Sequence, residues 1–167
     1  MTRLTIEQAR QLGILTGKQK KALPKSLVQW DAKLIPGGMW LQLPQIPPSL
    51  NDWKNWHPMM QAKYKTDLTA SVSGLKMAFK LPKYPRALIQ VIYYFATVRK
   101  RDADNYSGKF LLDAIKNAGL IDDDNSEVLQ LPEPKFRVDK IRPRAEVFIW
   151  ELKRGIEDVE VLKGAVR

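Results

Sequence analysis

The 167-residue sequence contains no cysteine and a single histidine, His57. The absence of cysteine excludes disulfides, thiolate chemistry, iron–sulfur clusters and cysteine-based zinc sites. One histidine excludes a multi-histidine zinc or iron site within one chain. Any metal bound by this chain would therefore be held mainly by oxygen atoms, which favours Mg²⁺ or Mn²⁺.

Long apolar runs are also missing from the sequence. No segment approaches the roughly 20 apolar residues that cross a bilayer, and the amino terminus lacks the apolar core of a signal peptide. We therefore expect a cytoplasmic protein with no membrane partner and no organic cofactor.

What the sequence has in excess is positive charge, with a formal net charge of +10 and a pI near 9.8. Residues 1–35 hold seven Lys or Arg against two acidic residues. Such a balance is typical of nucleic-acid binders, although many basic proteins bind nothing acidic. We predict a basic N-terminal arm over residues 1–35, a folded domain over 36–155 and a C-terminal tail over 156–167.

Hydrophobic periodicity predicts the elements of the folded domain. A turn at Pro36–Gly38 precedes them, and stiff turns at Pro44–Asn51 and around Pro82 and Pro85 separate them. We predict strands at 40–43, 87–95, 136–138 and 145–150, and helices beginning at Pro58 and spanning 107–118. The fold class is therefore mixed α/β: one small domain with a mixed sheet flanked by helices.

Acidic residues concentrate in one short stretch, because seven of the eighteen lie between Asp102 and Glu127. Asp102 and Asp104 are two apart at the end of a predicted strand, and if the strand continues through them their side chains point to the same side, so both carboxylates could bind one ion. The next helix presents Lys109, and the chain then returns to Asp122–Asp124. Three or four carboxylates converging from two loops would bind Mg²⁺ for phosphodiester hydrolysis, with Lys109 stabilising phosphate oxygens.

The same residues also fit structural roles. Asp102–Asn105 fits an Asx turn and helix N-cap, and Asp122–Asn125 fits a solvated turn. Lys109 and Asp113 fit an exposed i,i+4 helix pair. A calcium-binding EF-hand loop is disfavoured, because Tyr106 and Ser107 replace its position-5 ligand and position-6 glycine.

Four motifs in order resemble the RusA family of Holliday junction resolvases, which are metal-dependent endodeoxyribonucleases. The motifs are P-P-S-x-N at 47–51, R-D-x-D-N at 101–105, K-x-x-x-D-A at 109–114 and A-G-x-x-x-D-D at 118–124. The resemblance covers Trp40 to Leu152. It implies that Asp102, Asp104 and Asp124, with Asp123 as the alternative, bind Mg²⁺ or Mn²⁺, and that Lys109 assists. The distance from Asp104 to Lys109 is one residue longer than the family pattern.

The resemblance also implies a RusA-like homodimer that resolves four-way DNA junctions by paired symmetric nicks during recombination and repair. It implies the cytoplasm of a bacterial host, with a phage or prophage as a further source of the gene. The alternatives are a nuclease for flaps or replication forks and a non-catalytic DNA-binding protein. The candidate DNA contacts are Asn51, Arg99, Lys100, Arg101, Asn105, Lys135 and Arg137.

Overall fold

The computed structural model describes residues 28–153, and it shows a mixed α+β domain with one six-stranded sheet flanked by helices, which confirms the predicted fold class. In chain order the elements are β1 Asp31–Ile35, β2 Gly38–Leu43, α1 Leu50–Lys54, α2 Pro58–Ala78, β3 Ala87–Phe95, a 3₁₀ helix Ala103–Tyr106, α3 Lys109–Asn117, β4 Leu129–Gln130, β5 Lys135–Val138 and β6 Arg144–Glu151. Most of the predicted arm and all of the predicted tail lie outside the described residues.

Strand β3 organises the sheet. On one side it pairs antiparallel with β6, which continues antiparallel to β2 and then β1. On its other side it pairs parallel with β4 at its start and with β5 at its end. Eight of its nine residues are buried, as its continuous apolar run predicted.

The hairpin of β1 and β2 places the end of the predicted arm inside the sheet. Its turn is the predicted one, with Gly37 at φ 70°. Gly38 lies so close to β6 that a Cβ atom there would be 2.2 Å from the carbonyl oxygen of Ile149. Residues 31–35 form an edge strand that the sequence analysis did not predict. Only one of its five side chains, Ala32, is buried, so the strand has little hydrophobic pattern to reveal it.

Helices α2 and α3 pack together and supply one side of the main core. Helix α2 begins at Pro58 as predicted and buries Leu68, Val72 and Leu75, whereas Phe79 caps its end and is exposed. Helix α3 buries five apolar side chains and ends before Gly119, whose φ is 71°. The short helix α1, which Ser49 caps by accepting a hydrogen bond from the Asp52 N–H, replaces part of a predicted turn.

No helix in the described part of the chain is both long and apolar enough to cross a membrane.

Tyr64 of α2 packs against Trp53 of α1 and Phe110 of α3. Its hydroxyl is buried without a hydrogen-bond partner in the described structure, so Tyr64→Phe should raise the free energy of unfolding by about 1 kcal/mol. Burial also raises the pKa of Tyr64 from 10.0 to about 12. The unfolded chain therefore ionises Tyr64 at a lower pH than the folded protein does, so the wild type should lose stability as the pH rises from 10 towards 12, and Tyr64→Phe should lose less. Urea titrations of both proteins at pH 8 and at alkaline pH measure this, and equal alkaline losses would contradict it.

Candidate functional site

The acidic stretch follows the end of β3 at one end of the sheet. Asp102 immediately precedes the 3₁₀ helix, and Asp104 lies in its first turn. We call these two residues the acid pair. Lys109 begins α3 only five residues beyond Asp104, so the acid pair and the lysine belong to one short, tightly turned segment.

Aromatic packing fixes this segment against the sheet. The ring of Tyr106 lies 5.3 Å from that of Phe95 and 5.8 Å from those of Tyr93 and Phe136, between ring centroids. Such tilted and edge-to-face contacts stabilise by roughly 0.5–1.5 kcal/mol each beyond burial. Gly108 follows with φ 74°, a conformation that lets the chain turn sharply into α3.

A second contact joins the segment to α1. The backbone N–H of Asn51 donates a hydrogen bond of 3.0 Å to Oδ1 of Asn105. Two residues that the sequence analysis placed at a ligand surface are thereby brought together, and the side chain of Asn105 is engaged within the protein. The acid pair is flanked by residues held from two directions.

The acid-pair carboxylates themselves have no partner among residues 28–153. Both side chains are exposed and neither makes a hydrogen bond or ion pair within residues 28–153. Asp102 occupies the N-cap position of the 3₁₀ helix without a side-chain capping bond, so the capping alternative does not explain it. Lys109 is also exposed and unpaired within this range, and no Lys109–Asp113 ion pair forms there.

The Asp122–Asp124 cluster is neutralised by lysines instead. Nζ of Lys116 lies 2.7 Å from Oδ1 of Asp124 and 3.3 Å from Oδ1 of Asp123. The Asp124 N–H, the Asn125 amide and Lys116 donate hydrogen bonds that lower the pKa of Asp123 to about 2. Asp122 pairs with Lys83. The solvated-turn alternative describes this cluster well.

The structure does not bring the two acidic clusters into one metal-binding group within the described residues. Across residues 28–153 no three acidic or histidine side chains are grouped so that they could hold a metal ion together. Helix α3 lies between the two clusters along the chain, and the seven residue steps from Lys109 to Lys116 extend about 10 Å along its axis. Asp123 and Asp124 lie with Lys116 at the C-terminal end of this helix.

The basic residues predicted to contact DNA differ in whether their side chains bind other parts of the protein. The Arg101 guanidinium stacks 3.6 Å from the Phe95 ring and donates to the carbonyl oxygens of Thr97 and Arg99, which closes the loop after β3. Arg99 and Lys100 are exposed on that loop. Lys135 and Arg137 lie on β5 opposite Ile92 and Tyr94 of β3, with Arg137 exposed.

Sequence reasoning missed the residues that hold the site. Tyr106 was considered only as a poor calcium ligand, although an aromatic residue two positions after Asp104 is a signal for packing against the preceding strand. Lys116 was not singled out, although it lies in the last turn of α3 and shortly before three aspartates. Lysine near a helix C-terminus is favourable in its own right.

Comparisons with known proteins give no family. No protein-family model and no curated protein matches the sequence. Among solved structures, a fragment of the periplasmic domain of Helicobacter pylori MotB is 14% identical, with 78% of this chain and 85% of that chain covered, at a TM-score of 0.38. A second fragment of the same domain is 15% identical, with coverage of 78% and 83% and a TM-score of 0.38. A further MotB periplasmic domain is 12% identical, with coverage of 98% and 92% and a TM-score of 0.40.

These findings correct the resemblance to the RusA family. The three structures named above are periplasmic MotB domains and not nucleases, and no family model supports RusA membership. The predictions of Holliday junction resolution, of its nuclease and DNA-binding alternatives, and of a homodimer on branched DNA are therefore withdrawn. The predicted cytoplasmic location is withdrawn with them. TM-scores of 0.38–0.40 are in turn too low to transfer a fold or function from MotB to this chain.

The unpartnered carboxylates lead to a stability prediction. Asp102→Asn and Asp104→Asn should each leave the free energy of unfolding within about 0.5 kcal/mol of the wild type, because no bond within the described residues is lost. Asp123→Asn, which removes a carboxylate that accepts several hydrogen bonds, should destabilise more. Chemical denaturation at pH 7 measures all three. A larger loss in the acid-pair variants than in Asp123→Asn would show that the pair is structural.

Proposed function

We propose that this protein is a Mg²⁺-dependent enzyme that hydrolyses phosphate esters, with the acid pair as the ion ligands and Lys109 as the phosphate ligand. The observation that carries the proposal is the combination of two exposed carboxylates and one lysine, all unpaired within residues 28–153, on a segment fixed by Tyr106 and Asn105. Asp122 and Asp124, in contrast, are paired with Lys83 and Lys116.

The donor set fits Mg²⁺ or Mn²⁺. Magnesium requires oxygen ligands, keeps several of its waters and is commonly held by one or two carboxylates together with substrate phosphates. Two aspartates separated by one residue, both exposed to solvent, meet that requirement without a third protein ligand. When bound, the ion would lower the pKa of a coordinated water and neutralise charge on the phosphate oxygens.

The third ligand predicted from sequence, Asp124 or Asp123, is not needed in this arrangement. Both carboxylates accept hydrogen bonds from Lys116, and recruiting either one to the acid pair would break that pairing. We therefore assign the ion to Asp102 and Asp104 and leave the other cluster in its structural role.

Lys109 and the start of α3 supply the phosphate side of the site. The ammonium of Lys109 can donate hydrogen bonds to non-bridging phosphate oxygens, where negative charge grows during hydrolysis. The first backbone N–H groups of α3 favour an anion at the same end of the helix. Exposed Arg99 and Lys100 on the preceding loop add positive potential that draws an anionic substrate towards the acid pair.

Hydrolysis of bis(p-nitrophenyl) phosphate, followed by absorbance, tests the proposal. Wild-type protein should hydrolyse it with Mg²⁺ or Mn²⁺ and stop when EDTA is added. Asp102→Asn and Asp104→Asn should each lower kcat by about 100-fold or more, and Lys109→Met by a similar factor, since both remove stabilisation of transition-state charge.

Asp122→Asn is the matched control, because it makes the same chemical change in a carboxylate that pairs with Lys83. It should retain wild-type turnover. Calorimetric titration with Mg²⁺ separates binding from catalysis, and the acid-pair variants should lose the binding. Wild-type protein that binds no Mg²⁺, or acid-pair variants that turn over as fast as the control, would contradict the proposal.

A further inference from the structure

A cavity of about 660 Å³ lies on the helical side of the sheet. Neither the acid pair nor Lys109 lines it, so it is a different site from the one in the proposed function. The residues that line it come from the segment before β1, the turn before α1, the region of α1 and the first half and middle of α2, and they include Asp52, Trp56, Tyr64 and Asp67. Its volume falls in the range of small-molecule sites.

Aromatic rings form one wall of this cavity. Trp56 and Tyr64 line it directly and contact each other edge to face, with ring centroids 5.5 Å apart. Trp53 supports both rings from behind, at 5.5 Å from Trp56 and 5.9 Å from Tyr64. Mutual packing holds the wall in place, so a ligand would not have to order it.

The charged groups at the cavity are all negative. Asp52 and Asp67 line it, and none of its described lining residues is Lys, Arg or His, although the chain as a whole carries +10. One oxygen of Asp52 accepts a 2.7 Å hydrogen bond from the Ser49 hydroxyl, which orients the carboxylate. Carboxylates beside indole and phenol rings are the groups that attract a cation with an apolar body.

The protein's own lysines already bind to these groups. Nζ of Lys63 lies 2.8 Å from Oδ2 of Asp67, and Nζ of Lys65 lies 5.7 Å from the centre of the Trp53 ring. Both contacts are at the protein surface. They show that a carboxylate of the cavity and the ring behind its wall each accept an ammonium group.

We propose that this cavity binds a small organic ammonium ion, with the charge near Asp52 and Asp67 and the apolar part against Trp56 and Tyr64. Lys63 is then an internal competitor, because it neutralises Asp67 before a ligand arrives. This competition makes a prediction that nonspecific adsorption of a cation does not make: removing Lys63 should strengthen binding more than removing a lysine elsewhere on the surface.

Choline is the probe, and 3,3-dimethylbutan-1-ol, which replaces its quaternary nitrogen with carbon, is the neutral control. Titration of the full chain by tryptophan fluorescence and calorimetry should show saturable choline binding, with a Kd of about 1 mM, and none by the alcohol. Trp56→Ala and Asp52→Asn should each weaken binding by roughly fivefold or more. Asp31→Asn, an exposed carboxylate on β1, should leave it unchanged.

Lys63→Ala and Lys33→Ala are compared to isolate the competition. Both remove one positive charge, but Lys33 stacks on Trp40, on the sheet face opposite the core residues Met39 and Leu41. Lys63→Ala should tighten choline binding by at least about threefold relative to Lys33→Ala. Equal binding of choline and the alcohol, no saturable choline binding by wild-type protein, or equal effects of the two lysine variants would overturn the proposal.

Discussion

Packing of Tyr106 against Tyr93, Phe95 and Phe136 determines where the acidic segment lies. The partners of Tyr106 come from two strands, β3 and β5, and these pair in parallel so that Phe136 stands opposite Tyr93. Without these ring contacts, the segment after β3 would lose its main packing against the sheet. With the ring in place, the acid pair, Gly108 and the start of α3 have a fixed position relative to the core. The hydrogen bond from Asn51 to Asn105 then ties α1 to the same point.

The two acidic clusters differ in their ion pairing. Lys83 and Lys116 neutralise Asp122, Asp123 and Asp124 at one end of α3, and the local hydrogen bonds give that turn its shape. At the other end, the acid pair and Lys109 lack any such partner within residues 28–153. Exposed charges of this kind add little to stability. Their chemistry is available to a ligand, which is the basis of the function proposed for them.

The sequence predicted the larger elements and missed the short ones. The apolar run of β3, the stripe of α2 after Pro58 and the Gly119 stop after α3 each have a strong local cause. Strand β1 and helix α1 have few buried side chains and depend on pairing and capping that the sequence pattern does not reveal. The motif order also misled: Ser49 caps α1 and Gly119 ends α3, so residues in two of the four motifs have a local structural cause. The acid pair was identified from sequence, but the pairing of Asp124 with Lys116 depends on how the chain turns after α3.

Paramagnetic relaxation by Mn²⁺ tests the central claim most directly, because it reports where the ion binds without requiring a substrate. Mn²⁺ added at substoichiometric levels to ¹⁵N-labelled protein should broaden the amide signals of residues 102–109 first, and Asp104→Asn should abolish that broadening. Signals of residues 122–125 should broaden less at the same ion concentration. Broadening centred on residues 122–125, or unchanged in the Asp104→Asn variant, would contradict the account.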